Sequence, residues 1–209
     1  MKEWIPAILA NKKTFKVKKG EVIFKEGAPV NGIFVIDSGY VKVHKRWDDD
    51  KELIVRFAKE GSILGHRGMG KKPIYPVSAT ALHPGVVGFF DMDFFEATLK
   101  VNPDFMYKLL MFFADELRES ERKMRNLAHM SVKGRVAESL IILMEQFGVT
   151  EEGNINIELS RQDLASFAGA TYETVFRVIN ELVNEKMLVL TGKSISIANY
   201  EMLLKLTQD

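Results

Sequence analysis

An α+β architecture follows from three observations on the sequence. The first half is punctuated by glycine and alternates apolar with polar residues, one long stretch is free of Gly and Pro, and a short helix-turn-helix pattern is followed by a hairpin. Strands gathered in one region and helices in another give separate β and helical parts. The division is a β domain over residues 1–102, a connecting helix over 103–129 and a winged helix-turn-helix over 130–209.

In the β part, β-branched and aromatic runs lie between turn signals at Gly27-Ala28-Pro29, Asn31-Gly32, Ser38-Gly39 and Asp48-Asp49-Asp50. Period-two alternation is clear in "GYVKVHKRW" and "ELIVRF", and short strands at this spacing make a sandwich or barrel. After "VSATALHPGVVGFFDMDFF" the texture changes, and Asn102-Pro103-Asp104 opens a helix reaching His129. Met106, Leu110, Phe113, Leu117, Ser120, Met124 and Leu127 are spaced alternately by four and three, a heptad seam with one polar interruption. Such a seam predicts a homodimer, while Phe105, Leu109 and Phe112 widen the apolar face for packing on the β domain.

"SVKGRVAESLIILMEQFG" then reads as a helix ended by Gly148, "INIELS" as a strand, and "KMLVLTGKSISIANY" as a hairpin around Thr191-Gly192-Lys193. Between them stands "SRQDLASFAGATYETVFRVINEL". Ser160 and Asp163 form a weak capping box, Leu164, Phe167 and Ala168 face inward, Gly169-Ala170 breaks the helix, and Thr171 caps the next. The second helix buries Val175, Val178, Ile179 and Leu182, so Tyr172, Glu173, Phe176 and Arg177 share another face near its N-terminus. Helix-turn-helix proteins insert that part of the second helix into the major groove. A guanidinium can donate two hydrogen bonds to guanine and a carboxylate can accept from cytosine N4, so Arg177 and Glu173 can read adjacent G·C and C·G pairs. The bland alternative is an i, i+4 surface ion pair.

These residues resemble the superfamily of the cyclic-AMP receptor protein and the fumarate-nitrate regulator, from about Gly20 to Asn199. The resemblance implies a jelly-roll effector domain of the cyclic-nucleotide-binding type, a dimerisation helix and a winged helix-turn-helix. It implies phosphate contacts from Ser160, Arg161, Gln162, Thr171 and Lys193, and base reading by Glu173 and Arg177. Tyr172 stands where the cyclic-AMP receptor protein has a base-reading arginine. The expected partners are a second copy of the chain, double-stranded DNA carrying an inverted repeat, an unidentified small-molecule effector and, as the resemblance allows, RNA polymerase.

"GSILGHRGMGKKPIYPVSATAL" falls where this superfamily has its phosphate-binding cassette. His66 replaces the glutamate that holds the ribose, and Tyr75-Pro76 replaces the arginine and hydroxyl pair that hold the cyclic phosphate. Cyclic AMP is therefore not expected. Gly65, His66, Arg67, Lys71, Lys72, Tyr75 and Ser78 are the candidates for another, anionic effector, set against a solvated basic turn. Gly65 to Lys72 imitates a P-loop, but Lys72 stands where Ser or Thr is required.

Composition narrows the remaining classes. The absence of Cys excludes disulfides, thiolate metal sites and cysteine-ligated iron–sulfur clusters. Haem through His66 is a minor reading, because His44, His66, His83 and His129 lack metal-ligand spacing. No membrane span and no signal core are read, so a cytoplasmic protein is expected. A metal-dependent cupin would need a His-x-His pair, and no nucleophile elbow is present, so no enzyme is expected. Residues 130–209 hold 7 basic against 11 acidic residues, which favours a competing reading as a dimeric interaction protein without DNA. Arg161, Arg177 and Lys193 converge on one expected face, however, and placement outweighs the sum.

Overall fold

The structure, a computed structural model, describes residues 5–47 and 51–208. The turn expected at Asp48-Asp49-Asp50 lies outside the described residues. The chain divides into two compact units, Met1–Asp115 and Glu116–Asp209.

Among the described residues the first unit holds a short helix, α1 (Ile5–Asn11), and eight strands: β1 (Lys13–Val17), β2 (Val22–Phe24), β3 (Gly32–Ser38), β4 (Val41–Arg46), β5 (Glu52–Ala58), β6 (Ile63–Leu64), β7 (Ser78–Ala81) and β8 (Gly85–Asp91). They form two four-stranded sheets, in the orders β1-β8-β3-β6 and β2-β7-β4-β5, with antiparallel pairing throughout. This is the two-sheet jelly roll. Phe34, Ile36, Val41, Val43, Ala79 and Val87 belong to one buried cluster that fills the roll.

Alternation along β3 sends its other residues outward, where Ile33 joins Phe95, Leu99 and Leu109 in a second cluster. β3 is therefore covered on both faces. The outer cover comes from α2 (Met92–Val101) and the start of α3 (Pro103–His129). Asp91 caps α2 by accepting from the Asp93 amide at 2.9 Å, and Asn102 caps α3 by accepting from the Phe105 amide at 3.0 Å.

The second unit takes up the rest of α3 and continues through α4 (Val132–Phe147), α5 (Arg161–Ala168), α6 (Tyr172–Asn184), the hairpin β9 (Leu188–Thr191) with β10 (Ser194–Ile197), and α7 (Tyr200–Lys205). Leu140, Leu164, Val175, Ile179, Leu182, Leu188 and Leu203 are almost fully buried. "INIELS" is not a strand: Val149–Ile155 and Asn154–Ser196 are isolated bridges. After Ile155 donates to the Ile195 carbonyl at 2.8 Å the segment leaves the hairpin edge, so its alternation has no ladder to join. No helix among the described residues is long and apolar enough to cross a membrane.

Candidate nucleic-acid interface and sensory cassette

Local chemistry fixes the turn between α5 and α6. Ser160 Oγ accepts from the Asp163 amide at 2.9 Å while its hydroxyl donates to Asp163 Oδ2 at 2.6 Å. Gly169 adopts the left-handed conformation at φ 65° that ends α5, and Thr171 Oγ1 accepts from the Thr174 amide at 3.3 Å to start α6. Arg135 on α4 also donates from Nε to the Ala168 carbonyl at 2.9 Å and from Nη2 to the Gly169 carbonyl at 3.2 Å. That guanidinium satisfies carbonyls that the end of α5 leaves open. Sequence reasoning missed it, because a partner 33 residues away that is a backbone oxygen leaves no side-chain pattern to read.

α6 buries Val175, Val178, Ile179 and Leu182 and exposes Tyr172, Glu173, Phe176 and Arg177. The rings of Tyr172 and Phe176 lie 6.2 Å apart at 12°, a flat aromatic step on the outer face. Arg177 is 72% exposed and its Nε stands 4.0 Å from Glu181 Oε1; among the described residues it makes no ion pair with Glu173. Arg161 and Lys193 line one small concavity with Leu164 and Ile195, so the start of α5 and the hairpin tip are neighbours. Burial lowers the Arg161 guanidinium from its usual value, opposed by Tyr172. Gln162 and Thr171 are exposed.

α3 is tied to this domain by its last turns. Arg122 pairs with Glu119 at 2.7 Å and with Glu138 of α4, and buried Asn126 donates to both Glu138 oxygens at 2.8 and 2.9 Å. The Lys123 ammonium sits 4.2 Å above the Phe167 ring of α5, a cation–π contact. Burial lowers Lys123 to about 8, with Arg122 acting in the same direction and Glu138 against it. Of the seam residues, Met106, Leu110, Leu117 and Met124 are exposed, whereas Phe113 and Leu127 are partly covered.

The cassette is closed. Gly65 takes φ 86° before a short turn of 3₁₀ helix over His66–Gly68, and a side chain there would meet Gly32 O at 3.1 Å and the Tyr75 ring at 3.2 Å. Tyr75 is 2% exposed and stacks on Phe24 with centroids 4.3 Å apart at 25°. Its hydroxyl donates between Asn31 Oδ1 and the Gly32 carbonyl, 2.9 Å from each. Burial raises the Tyr75 phenol above its ordinary value, against the lowering by Asn31 and Gly32. The cavity left beside Gly65, His66, Arg67 and Tyr75 is about 10 Å³, room for one water. His66 is buried with its ring edge-on to Phe112 at 4.8 Å and Phe113 at 5.4 Å.

The seven effector candidates therefore do not converge. Gly65, His66, Arg67 and Tyr75 meet in the wall, whereas Lys71 and Lys72 are exposed outside it and Ser78 Oγ accepts from the Glu26 amide at 2.9 Å. After Lys72 the chain enters Pro73 and the extended bridge at Ile74, so the P-loop imitation has no helix behind it.

A β jelly roll, a long helix and a winged helix-turn-helix in one chain define a DNA-binding transcription regulator. Residues 14–102 match the cyclic nucleotide-binding domain and residues 134–206 the Crp-like helix-turn-helix domain. The chain is 30% identical over 170 residues to the anaerobic regulatory protein of Bacillus subtilis, covering 80% of this chain and 71% of the relative. It is 27% identical over 187 residues to the CRP-like cAMP-activated global transcriptional regulator of Mycobacterium tuberculosis, covering 88% of this chain and 84% of that one. The structure of FixK2 from Bradyrhizobium japonicum is similar at a TM-score of 0.83 and 25% identity, over 93% of this chain and 96% of the other. The chain belongs to the CRP/FNR family of transcription regulators, whose members bind DNA and are generally dimeric.

Proposed function

We propose that the chain works as a homodimer joined along α3, reads an inverted DNA repeat with α6, and answers to an effector other than cyclic AMP. The observation that carries the DNA reading is the exposed face of Tyr172, Glu173, Phe176 and Arg177 on a helix whose opposite face is buried. Beside it, Ser160, Arg161, Gln162, Thr171 and Lys193 supply phosphate contacts, and RNA polymerase is a further partner. The dimer rests on the exposed apolar row Met106, Leu110, Leu117 and Met124, completed by partly covered Phe113 and Leu127. No catalytic role is assigned to any residue, and a regulator of this kind acts in the cytoplasm.

Relatives that are named as cAMP-activated occur at 27% identity, but this chain departs from the cyclic-AMP contacts at His66 and Tyr75. The Phe24–Tyr75 stack and the cavity of about 10 Å³ beside it support a reading in which no nucleotide binds there. His66 packs edge-on against Phe112 and Phe113, which supports a reading without haem at this residue. Selecting duplexes from a random pool tests the DNA reading: an enriched inverted repeat with half-site centres about one helical turn apart is expected, and a pool with no enrichment rejects it. Calorimetry with cyclic AMP is expected to give no saturable heat.

A further inference from the structure

The first unit closes one cavity and opens another. On the outer face of the sheet containing β3, a cavity of about 690 Å³ lies between β3, α1, α2 and the first turns of α3. That volume is in the range of small-molecule sites, whereas the cassette retains about 10 Å³. Its walls include Ile33, Ile63, Phe94, Phe95, Phe105 and Leu109. Water against so much apolar wall forgoes the free energy of burial, and an apolar occupant recovers it.

The charged groups are few and lie just after α1 and on α3, with Thr98, Asn102 and Tyr107 as neutral polar lining. Lys12 is held by Asp37 at 2.6 Å. Lys108, exposed, also lines the cavity, as does Asp104 one turn earlier on α3. Among the described residues Lys108 makes no ion pair, even with Asp104. An apolar chamber with an unpaired ammonium in its wall suits a molecule with an apolar body and one carboxylate.

We propose that this cavity is a binding site for a carboxylic acid with an apolar body, of the medium-chain or aromatic kind. Position supports the assignment. Phe105, Leu109 and Phe112 recur at i, i+4 and i+7 on one face of α3, whereas Met106, Leu110 and Leu117 occupy another. A partner along the seam and a ligand in the cavity therefore do not compete. Phe112 both lines the cavity and packs on His66 of the cassette turn, so an occupant bears directly on the helix that continues into the DNA-binding domain.

For that regulatory consequence the site rests on the function proposed above; binding itself is measured without DNA, so the two can fail separately. Titration calorimetry of the full chain with decanoate should give saturable binding near one per chain. Lys108→Glu should weaken it at least tenfold, and Leu9→Glu, at an exposed lining position of α1, should weaken it without disturbing the core. Lys19→Glu, at an exposed position outside the cavity, should leave it unchanged. Absence of saturable binding, indifference to both the Lys108 and Leu9 changes, or equal binding of decylamine would overturn the assignment.

Discussion

Arg177 leans towards Glu181, one turn further along α6, at 4.0 Å and not towards Glu173, one turn back. Both carboxylates are four residues away, yet the guanidinium makes no ion pair with Glu173 among the described residues. The contact is long and the guanidinium largely exposed, so it is weak and easily exchanged for a base edge. In the proposed complex Glu181 nevertheless sets a competing acceptor for Arg177 and a negative charge near DNA. Glu181→Gln should tighten DNA binding by roughly 0.3–0.5 kcal/mol per subunit, the scale of a helix-surface pair. Fluorescence anisotropy on one fixed duplex checks this, and weaker binding by the variant would assign Glu181 a direct positive role.

Tyr75 gives a stability test of the closed cassette. Tyr75→Ala removes a fully buried ring stacked on Phe24 and leaves a hole in the roll, so a loss of about 3–5 kcal/mol is expected. Tyr75→Phe keeps the ring and removes only the hydroxyl shared by Asn31 and Gly32, so the loss should be roughly 0.5–1.5 kcal/mol. Urea unfolding of both variants measures the difference. Equal losses would mean that the hydroxyl, and not the stack, holds the cassette shut.

Much of this architecture was legible because it repeats at short range. The Pro103–His129 helix shows as a heptad pattern broken once, at Ser120, and the turn of the helix-turn-helix shows as Gly169 with capping hydroxyls at Ser160 and Thr171. What escaped is long-range pairing. Tyr75 meets Phe24 across the roll, so the cassette candidates were placed by position in the chain while the interior had already claimed Tyr75 and His66. α2 was hidden because its apolar run merges with the preceding strand, although Asp91 marks its start. The large cavity has no local signature, since its wall is assembled from six separate elements, α1, β3, β6, β8, α2 and α3.

The α3 seam predicts its own test. Leu110 is 59% and Leu117 60% exposed in the single chain. Charged residues at both should leave each fold intact and convert dimer to monomer in sedimentation velocity, because neither side chain supports its own core. Variants that remain dimeric would place the interface elsewhere.

Lys123 ties stability to alkaline pH. Its folded value of about 8 lies below the ordinary 10.5, so between these values the unfolded chain binds the extra proton and stability rises with pH. Below about 8 the burial cost is fully present. Lys123→Met should remove the rise across that window while keeping apolar contact with Phe167. Thermal midpoints of both proteins through the window decide it, and an equal rise in the variant would assign the effect to another group.

The last prediction separates reading from anchoring. Arg177 extends from the α6 face proposed to enter the major groove, whereas Lys193 sits at the hairpin tip beside Arg161. Arg177→Ala should cost roughly 1–3 kcal/mol per half-site and relax preference at one base pair, since a bidentate contact is lost while the phosphate anchors remain. Lys193→Ala should weaken all sequences alike and flatten the salt dependence by about one unit per subunit, because a phosphate contact carries no base information. Site selection with parent and variants, followed by salt titration of the enriched duplex, distinguishes the two. An Arg177 variant that keeps the parent's preference at every position would show that α6 reads DNA through Tyr172, Glu173 or Phe176 instead.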